Sequence, residues 1–298
     1  MLVTMKTSLT HHAERRLYCV IVMLLSAATI TPAIAQGTTK ANASLIAQIE
    51  KISERSSGNF AFYYKNITTG FTWELNEKTP YPAASVIKIP LVVTLYTLLD
   101  IGELPSNQLL RVTKRDRVGG TGALQGRKTP FNLSLQKAVS LALNKSDNMA
   151  TNVLIDFVTS KAVNHRMQRM GFPSIQLNRK MVHKAPPENW SNAHDMGRLL
   201  EQVATNMILV PKGFESVLSV MKRAPKGDKL GKLLPKGTLF ARKGGRLMHH
   251  IHDVGILTAG GQSVVIVAMI SRFKSRKKAA RALHLTGKAI YDALLQSQ

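Results

Sequence analysis

Cysteine is nearly missing from this chain, because Cys19 is the only one among 298 residues. It lies inside an N-terminal segment that we expect to be removed, so the remaining chain should have no cysteine. This absence excludes a cysteine nucleophile, a disulfide framework and thiolate metal sites.

Acidic residues are also scarce, with 17 Asp and Glu against 41 Lys and Arg and a formal net charge of +24. A basic surface favours anionic partners such as nucleic acid, lipid head groups or acidic polymers of the cell envelope. Aromatic residues make up only 6%, and no zinc-finger spacing, RNP-like string or basic zipper is present. We therefore predict no nucleic-acid partner and keep anionic envelope polymers as a partner class. The densest basic cluster is RFKSRKKAAR, residues 272–281.

An apolar run near the N-terminus is too short for a membrane span. Arg15 and Arg16 precede it, it covers residues 17–30, and Ala33-Ile34-Ala35 follows. A membrane span needs about 20 predominantly apolar residues, whereas a basic start, a short apolar run and a small-x-small site are typical of a secretory signal peptide. We predict a signal peptide at residues 1–35, with an uncleaved anchor as the less favoured alternative. The mature chain, residues 36–298, would be periplasmic or extracellular.

The mature chain is predicted to form one α+β unit. The segment ASLIAQIEKISER has a helical stripe, NFAFYYKNI and FTWEL read as a hairpin, and three strands and a closing helix follow residue 237. An antiparallel sheet built from both chain ends, flanked by helices and carrying an inserted all-helical lobe, accounts for this order. The expected α/β lobe covers about 36–80 and 205–298, and the helical lobe about 81–204. We expect a monomer.

The middle of the chain is predicted to be helical. SVIKIPLVVTLYTLL is apolar on nearly every side and too short to span a bilayer, so it should be a core helix, with a kink at Pro90. A second helical stretch, residues 134–158, breaks near residues 144–146. A third helix should begin at Ser191 or Asn192, either of which suits an N-cap.

The stretch AASVIKIP places Ser85 three residues ahead of Lys88 at the start of the apolar helix. Residues i and i+3 share a helix face, and free N–H groups at a helix N-terminus suit a developing oxyanion. Burial would favour the neutral amine, which could then take the serine proton. The pattern alone is weak, because four other Ser-x-x-Lys pairs start at Ser134, Ser219, Ser271 and Ser275.

Two further motifs follow Ser85 in a specific order. Ser146-Asp147-Asn148 begins 61 residues after Ser85 at the helix break, and Lys243-Gly244-Gly245 begins 97 residues later at the end of a strand. With the Ser-x-x-Lys pair, this order resembles the serine β-lactamase and D,D-peptidase superfamily, in particular class A β-lactamase-like serine hydrolases. The resemblance runs from about residue 43 to the C-terminus and implies a β-lactamase/transpeptidase-like fold.

The resemblance implies three catalytic residues. Ser85 would be the nucleophile that forms an acyl-enzyme, Lys88 its base or proton relay, and Ser146 the group that passes a proton to the leaving nitrogen.

It also implies a set of substrate-binding residues. Asn148 would hold an amide of the substrate, and Lys243 would place positive charge near its carboxylate. Gly245 and Arg246 belong to the same strand end, and the backbone N–H of Arg246 would complete an oxyanion hole with that of Ser85. Asp253 is expected to be structural rather than catalytic.

Two departures from the class A pattern bear on turnover. Gly244 stands where relatives carry threonine or serine, so one carboxylate-binding hydroxyl is missing. In LNRKM, Met181 occupies the place of the glutamate that activates the deacylating water. His183 and Glu188 are nearby polar residues, but their spacing singles out neither, and a surface-loop role is expected for both.

A metal site is a further alternative. The string HHIHD, residues 249–253, is rich in potential zinc ligands, but in a strand only His250 and His252 would share a face. We therefore expect no metal and no cofactor.

The sequence thus predicts an exported serine hydrolase that acts on β-lactams through an acyl-enzyme at Ser85. The alternatives are a D,D-peptidase or esterase acting on peptidoglycan-like amides or esters, and a penicillin-binding module that acylates with little turnover.

Overall fold

The computed structural model describes residues 32–183, 186–205, 217–225 and 227–296. Apart from residues 32–35, the predicted signal peptide lies outside these ranges. Within them the chain forms nine strands and eight α-helices. The strands are β1 (Asn59–Asn66), β2 (Thr72–Leu75), β3 (Tyr81–Pro82), β4 (Leu109–Val112), β5 (Phe131–Ser134), β6 (Trp190–Ser191), β7 (Leu239–Leu247), β8 (His250–Ala259) and β9 (Gln262–Ser271).

The helices come from the first, middle and last parts of the chain. They are α1 (Pro32–Glu54), α2 (Lys88–Asp100), α3 (Leu135–Asn144), α4 (Asn148–Val158), α5 (Ser160–Arg169), α6 (Ala193–Ala204), α7 (Val217–Lys222) and α8 (Arg276–Gln296). None of the helices in the described ranges is long and apolar enough to cross a membrane. Helix α1 begins eleven residues before the predicted start at residue 43, because the apolar stripe that signalled it begins only at Leu45.

The main sheet is antiparallel and has the strand order β2-β1-β9-β8-β7. Strands from the two ends of the chain therefore lie side by side, and the pairing of β1 with β9 joins them. The predicted α+β fold with such a sheet is confirmed. Strand β7 lies at the edge of this sheet, so only one side of its backbone pairs with another strand of the sheet. The other side of β7 borders the candidate site.

The sheet separates two apolar cores. Alternate residues of β9 face opposite sides, so that Val265 and Val267 pack toward the middle helices while Val264 and Ile266 pack toward α1 and α8. Both faces of the central strand are covered, and for this reason its sequence is apolar at nearly every position. The predicted lobe boundaries stay a prediction.

Helix α2 is buried on almost all sides, as its sequence indicates. A short 3₁₀ turn, Ala84–Ile87, precedes it, so the α-helix begins at Lys88 rather than at Ser85. Pro90 is therefore the third residue of α2, where a backbone N–H would have no intrahelical acceptor. This placement removes the reason for the predicted kink.

The predicted helix break and the N-cap are both present. Helix α3 ends at Asn144, and Asp147 caps α4 by accepting a hydrogen bond from Ala150 N at 2.9 Å. Asn192 caps α6 through a 2.7 Å bond from Asp195 N. Helix α5 and the two small strand pairs β3–β6 and β4–β5 were not predicted, since four of these elements are only two to four residues long.

Candidate active site

Ser85 lies in the 3₁₀ turn between β3 and α2. It is partly exposed, whereas its neighbours Ala84 and Val86 are buried. Ala84 has a φ of 49°, in the left-handed region that non-glycine residues rarely adopt. The backbone is thus held in a strained conformation directly before the serine.

Lys88 is completely buried at the start of α2. Its Nζ donates to Ser146 O at 2.7 Å, to Asn148 Oδ1 at 2.9 Å and to Ser146 Oγ at 3.3 Å. Burial lowers the pKa of Lys88 from 10.5 to about 7, although nearby Asp147 opposes the shift. Within the described chain none of its hydrogen bonds reaches the Ser85 hydroxyl, so the amine faces the 146–148 segment instead.

Ser146 joins the two lysines of the predicted motifs. Its hydroxyl accepts a hydrogen bond from Lys243 Nζ at 2.9 Å in addition to the bond from Lys88. Lys243 is 3% exposed, and burial followed by repulsion from Lys88 and Arg242 holds its pKa well below the ordinary value. Ser146 itself has a φ of 51°, a second strained residue. The fold therefore brings together side chains 58 and 97 residues apart in the sequence.

Two more cations, which the sequence analysis missed, surround this point. Lys229 and Arg242 are 8% and 7% exposed, and with Lys243 they line a cavity of about 250 Å³ next to Ser146. Arg242 is paired with the fully buried Asp253, through Nε to Oδ1 at 2.9 Å and a second, shorter contact. Lys229 is paired with Asp228 through its Nζ and Oδ1 at 2.9 Å, so two of the three basic side chains at this cavity have carboxylate partners.

Asp253 has an entirely internal set of partners. Besides Arg242, it accepts a hydrogen bond from Leu230 N at 3.0 Å and has no exposed surface. This geometry is that of a structural residue.

The two motif glycines face different neighbours. A Cβ built on Gly245 would lie 3.2 Å from Ser85 N and 3.0 Å from Ala84 Cβ, so this glycine lets β7 approach the serine backbone closely. A Cβ on Gly244 would lie 2.6 Å from an Arg242 nitrogen and 3.0 Å from Lys229 Nζ. Cationic side chains thus fill the space beside Gly244, where relatives carry a hydroxyl.

The remaining predicted binding residues are partly committed to contacts within the protein. Asn148 uses Oδ1 for Lys88 and donates Nδ2 to Gly119 O at 3.1 Å. The exposed side chain of Arg246 bonds to Asp228 Oδ2 at 2.6 Å. Their roles toward a substrate stay predictions.

The loop that carries Met181 is tied to α4. Met181 N donates to Asn152 Oδ1 at 2.7 Å, and Asn152 Nδ2 returns a 3.3 Å bond to Met181 O. The Met181 side chain is 8% exposed. Asn152 was not singled out from the sequence, although its place four residues after Asn148 puts both on one helix face.

Glu188 and His183, the other polar residues near Met181 in the sequence, differ in their surroundings. Glu188 bonds to Arg179 at 2.6 Å and to Asn189 N at 2.8 Å, while His183 is exposed. Neither carboxylate oxygen of Glu188 is without a partner.

Two histidines of the 249–253 segment form hydrogen bonds within the protein. His252 is fully buried, its Nε2 donates to Pro82 O at 2.9 Å, and burial lowers its pKa to about 4. His250 Nδ1 bonds to the Ser271 hydroxyl at 2.8 Å. In the part of the chain that the structure describes, no group of three or more His, Cys, Asp or Glu side chains could hold a metal ion.

Solved structures with the same fold are β-lactamases and a penicillin-binding protein. A β-lactamase of Sphaerobacter thermophilus has a TM-score of 0.77 and 24% identity, over 85% of this chain and 97% of that one. A mutant of PBP-A in an acyl-enzyme complex with penicillin G has a TM-score of 0.77 and 23% identity, over 85% and 96%. The fold is therefore that of these β-lactamase and PBP-A structures.

Sequence similarity identifies the protein family of this chain. The profile of the β-lactamase enzyme family matches residues 44–294. β-Lactamase VEB-1 of Pseudomonas aeruginosa is 23% identical over 248 residues, which cover 77% of this chain and 83% of VEB-1. The chain belongs to the β-lactamase enzyme family and is a serine β-lactamase-like hydrolase.

Proposed function

We propose that Ser85 attacks the carbonyl carbon of a β-lactam and becomes acylated as the ring amide opens. The observation that carries the proposal is the Ser146 hydroxyl, held between the buried amine of Lys88, three residues after Ser85, and that of Lys243. In this scheme the neutral Lys88 amine, whose hydrogen bonds go to the 146–148 segment before substrate binds, turns to Ser85 and takes the serine proton. The proton then passes along the Lys88–Ser146 hydrogen bond to the nitrogen that leaves.

The substrate should carry a carboxylate. The cavity beside Ser146 is lined by Lys243, Lys229 and Arg242; Arg242 is paired with the buried Asp253 and Lys229 with the exposed Asp228. The two cations next to Gly244 stand where relatives place a hydroxyl, and we propose that they take over part of its role.

The carbonyl oxygen would be stabilised by two backbone N–H groups. The close approach of Gly245, on the edge strand, to Ser85 N supports a role for the following N–H, that of Arg246. Two converging N–H donors suit an oxyanion.

We propose that release of the acyl group is slow. A thioether cannot accept a proton, and Met181 fills the position of the deacylating glutamate. Glu188 is held by Arg179 and by a backbone N–H. This arrangement favours the second candidate, a penicillin-binding module or a D,D-peptidase or esterase acting on cell-wall material. Export through the signal at residues 1–35 is part of the proposal, and an N-terminus at Gln36 in secreted protein would test it.

The test of acylation is intact-protein mass spectrometry with penicillin G over time. Ser85→Ala should form no adduct, while Ser134→Ala, at another Ser-x-x-Lys pair, should acylate like the wild type. A full-strength adduct on Ser85→Ala would refute the assignment.

The test of release is decay of the adduct after free penicillin is removed. The wild-type adduct should persist for minutes or longer, and Met181→Glu should shorten its lifetime, because Asn152 already holds the backbone at this position. Rapid decay in the wild type would show that another base activates water.

A further inference from the structure

A groove of about 810 Å³ runs between the first and last helices, α1 and α8. These helices cover the face of the sheet whose core includes Leu45, Phe62 and Leu283. Val86, next to Ser85, belongs to the core on the other face. The sheet therefore separates this groove from the candidate active site.

The floor of the groove is apolar. Ile52 of α1 and Ala282, Leu285 and Ala289 of α8 line it, and the spacing of the last three keeps them on one side of α8. Small-molecule sites typically enclose 300–1,000 Å³, so the groove can hold one acyl chain. Its apolar residues are recessed between two helices, whereas a membrane-binding face presents them outward.

The rim of the groove is cationic. Lys51 lies in the last turn of α1 and Arg55 directly after it, and Lys278 and Arg281 lie near the start of α8. All four are exposed, and within the described ranges none has a carboxylate within salt-bridge distance.

The acidic residues at the groove do not balance this charge. Asp292 is paired with Lys288 at 2.5 Å, which leaves Glu54 as the lining carboxylate without such a pairing in the described chain.

The basic residues in the first turn of α8, which include the rim residue Lys278, are poorly placed for helix stability. The first turn of α8 contains Arg276, Lys277 and Lys278 and no acidic residue. The N-terminal end of a helix is the positive end of its dipole, where cations are unfavourable. A bound anion would offset this repulsion.

We propose that the groove binds a single-chain amphiphilic anion, a long-chain carboxylate. The carboxylate head lies among the four rim cations, and the alkyl chain lies along the floor between Ile52 and Ala289. This binding is independent of hydrolysis at Ser85.

Calorimetric titration with three probes tests the chemistry. Sodium dodecanoate, below its micelle concentration, should bind saturably with one molecule per chain. Dodecan-1-ol, which lacks the charge, should bind about tenfold more weakly, and sodium acetate should not bind measurably. Equal binding of dodecanoate and dodecan-1-ol would overturn the proposal, as would binding only to phosphatidylglycerol vesicles, which would indicate a membrane-facing surface.

Variants locate the site. The double variant Lys51→Gln/Arg281→Gln should weaken dodecanoate binding by about tenfold, because it removes two of the four exposed rim cations. Leu285→Asn should have a similar effect through the lost apolar contact. Lys277→Gln, on the same helix but outside the groove, should bind as the wild type does.

All the changed side chains are exposed or half-buried, so circular dichroism should report folded proteins. An equal loss in Lys277→Gln, or no loss in the double variant, would show that binding follows net charge or lies elsewhere. Ser85→Ala should bind dodecanoate unchanged, which separates this test from that of the active site.

Discussion

Replacement of Lys88 by methionine tests whether a buried amine drives acylation. An ordinary lysine with a pKa of 10.5 is neutral in about one molecule in 3,000 at pH 7, but with a pKa of about 7 it is neutral in about half. Burial thus raises the fraction of the reactive form by about a thousandfold. The fold should tolerate methionine, because a flexible apolar side chain suits the buried start of α2.

The sign of the pH dependence follows from the same pKa. The wild-type acylation rate should rise about tenfold per pH unit up to about pH 7 and level off above it, because only the neutral amine accepts a proton. Lys88→Met should be slower by two to four powers of ten at pH 8, the typical loss for a general base. It should also lack the rise below pH 7.

The assay is rapid-quench mass spectrometry of penicillin G acylation between pH 5.5 and 8.5. Lys137→Met is the matched control, since Lys137 belongs to another Ser-x-x-Lys pair and is exposed. It should behave like the wild type. A folded Lys88→Met protein with wild-type rates, or a wild-type rate that does not change with pH, would refute the reasoning.

Three further predictions concern the site and its supports. Gly245→Ala should slow acylation about tenfold or more, because the new Cβ meets backbone atoms at 3.2–3.3 Å. In Gly244→Ala the new Cβ meets movable side-chain ends, so the acylation rate should fall less. Equal acylation rates in the two variants would contradict this. Asp253→Asn should lower the free energy of unfolding by about 3–5 kcal/mol in urea titration, since it leaves a buried cation unpaired. The exposed Asp156→Asn should cost less than about 1 kcal/mol. The folded-state pKa of His252 is about 4, below the ordinary 6.5, so its contribution to the free energy of unfolding should be complete above pH 6.5. On acidification to pH 4 the free energy of unfolding should fall by about 3 kcal/mol in all. His252→Gln should remove this part of the loss.

Much of the architecture could be predicted from local patterns. The hairpin at the start, the three late strands and the closing helix follow from periodicities of 2 and 3.6 residues, which depend on neighbours in the chain. The order of the three motifs indicated the family, because each motif lies at one end of a helix or strand that the local pattern predicts. The short strands β3 and β6 could not be predicted, because two residues carry no periodic signal and pair only through tertiary contacts.

The connections inside the candidate site depend on tertiary structure. The spacing of Ser85 and Lys88 suggested a direct contact, but packing of α2 against the 146–148 segment turns the Lys88 amine toward Ser146. Lys229 and Arg242 belong to no motif, and only tertiary packing brings both side chains next to Gly244. The sequence alone indicated the longer elements and the chemical groups available. Which groups meet, and how far burial shifts their pKa values, was decided by side chains far apart in the sequence that pack together and exclude water.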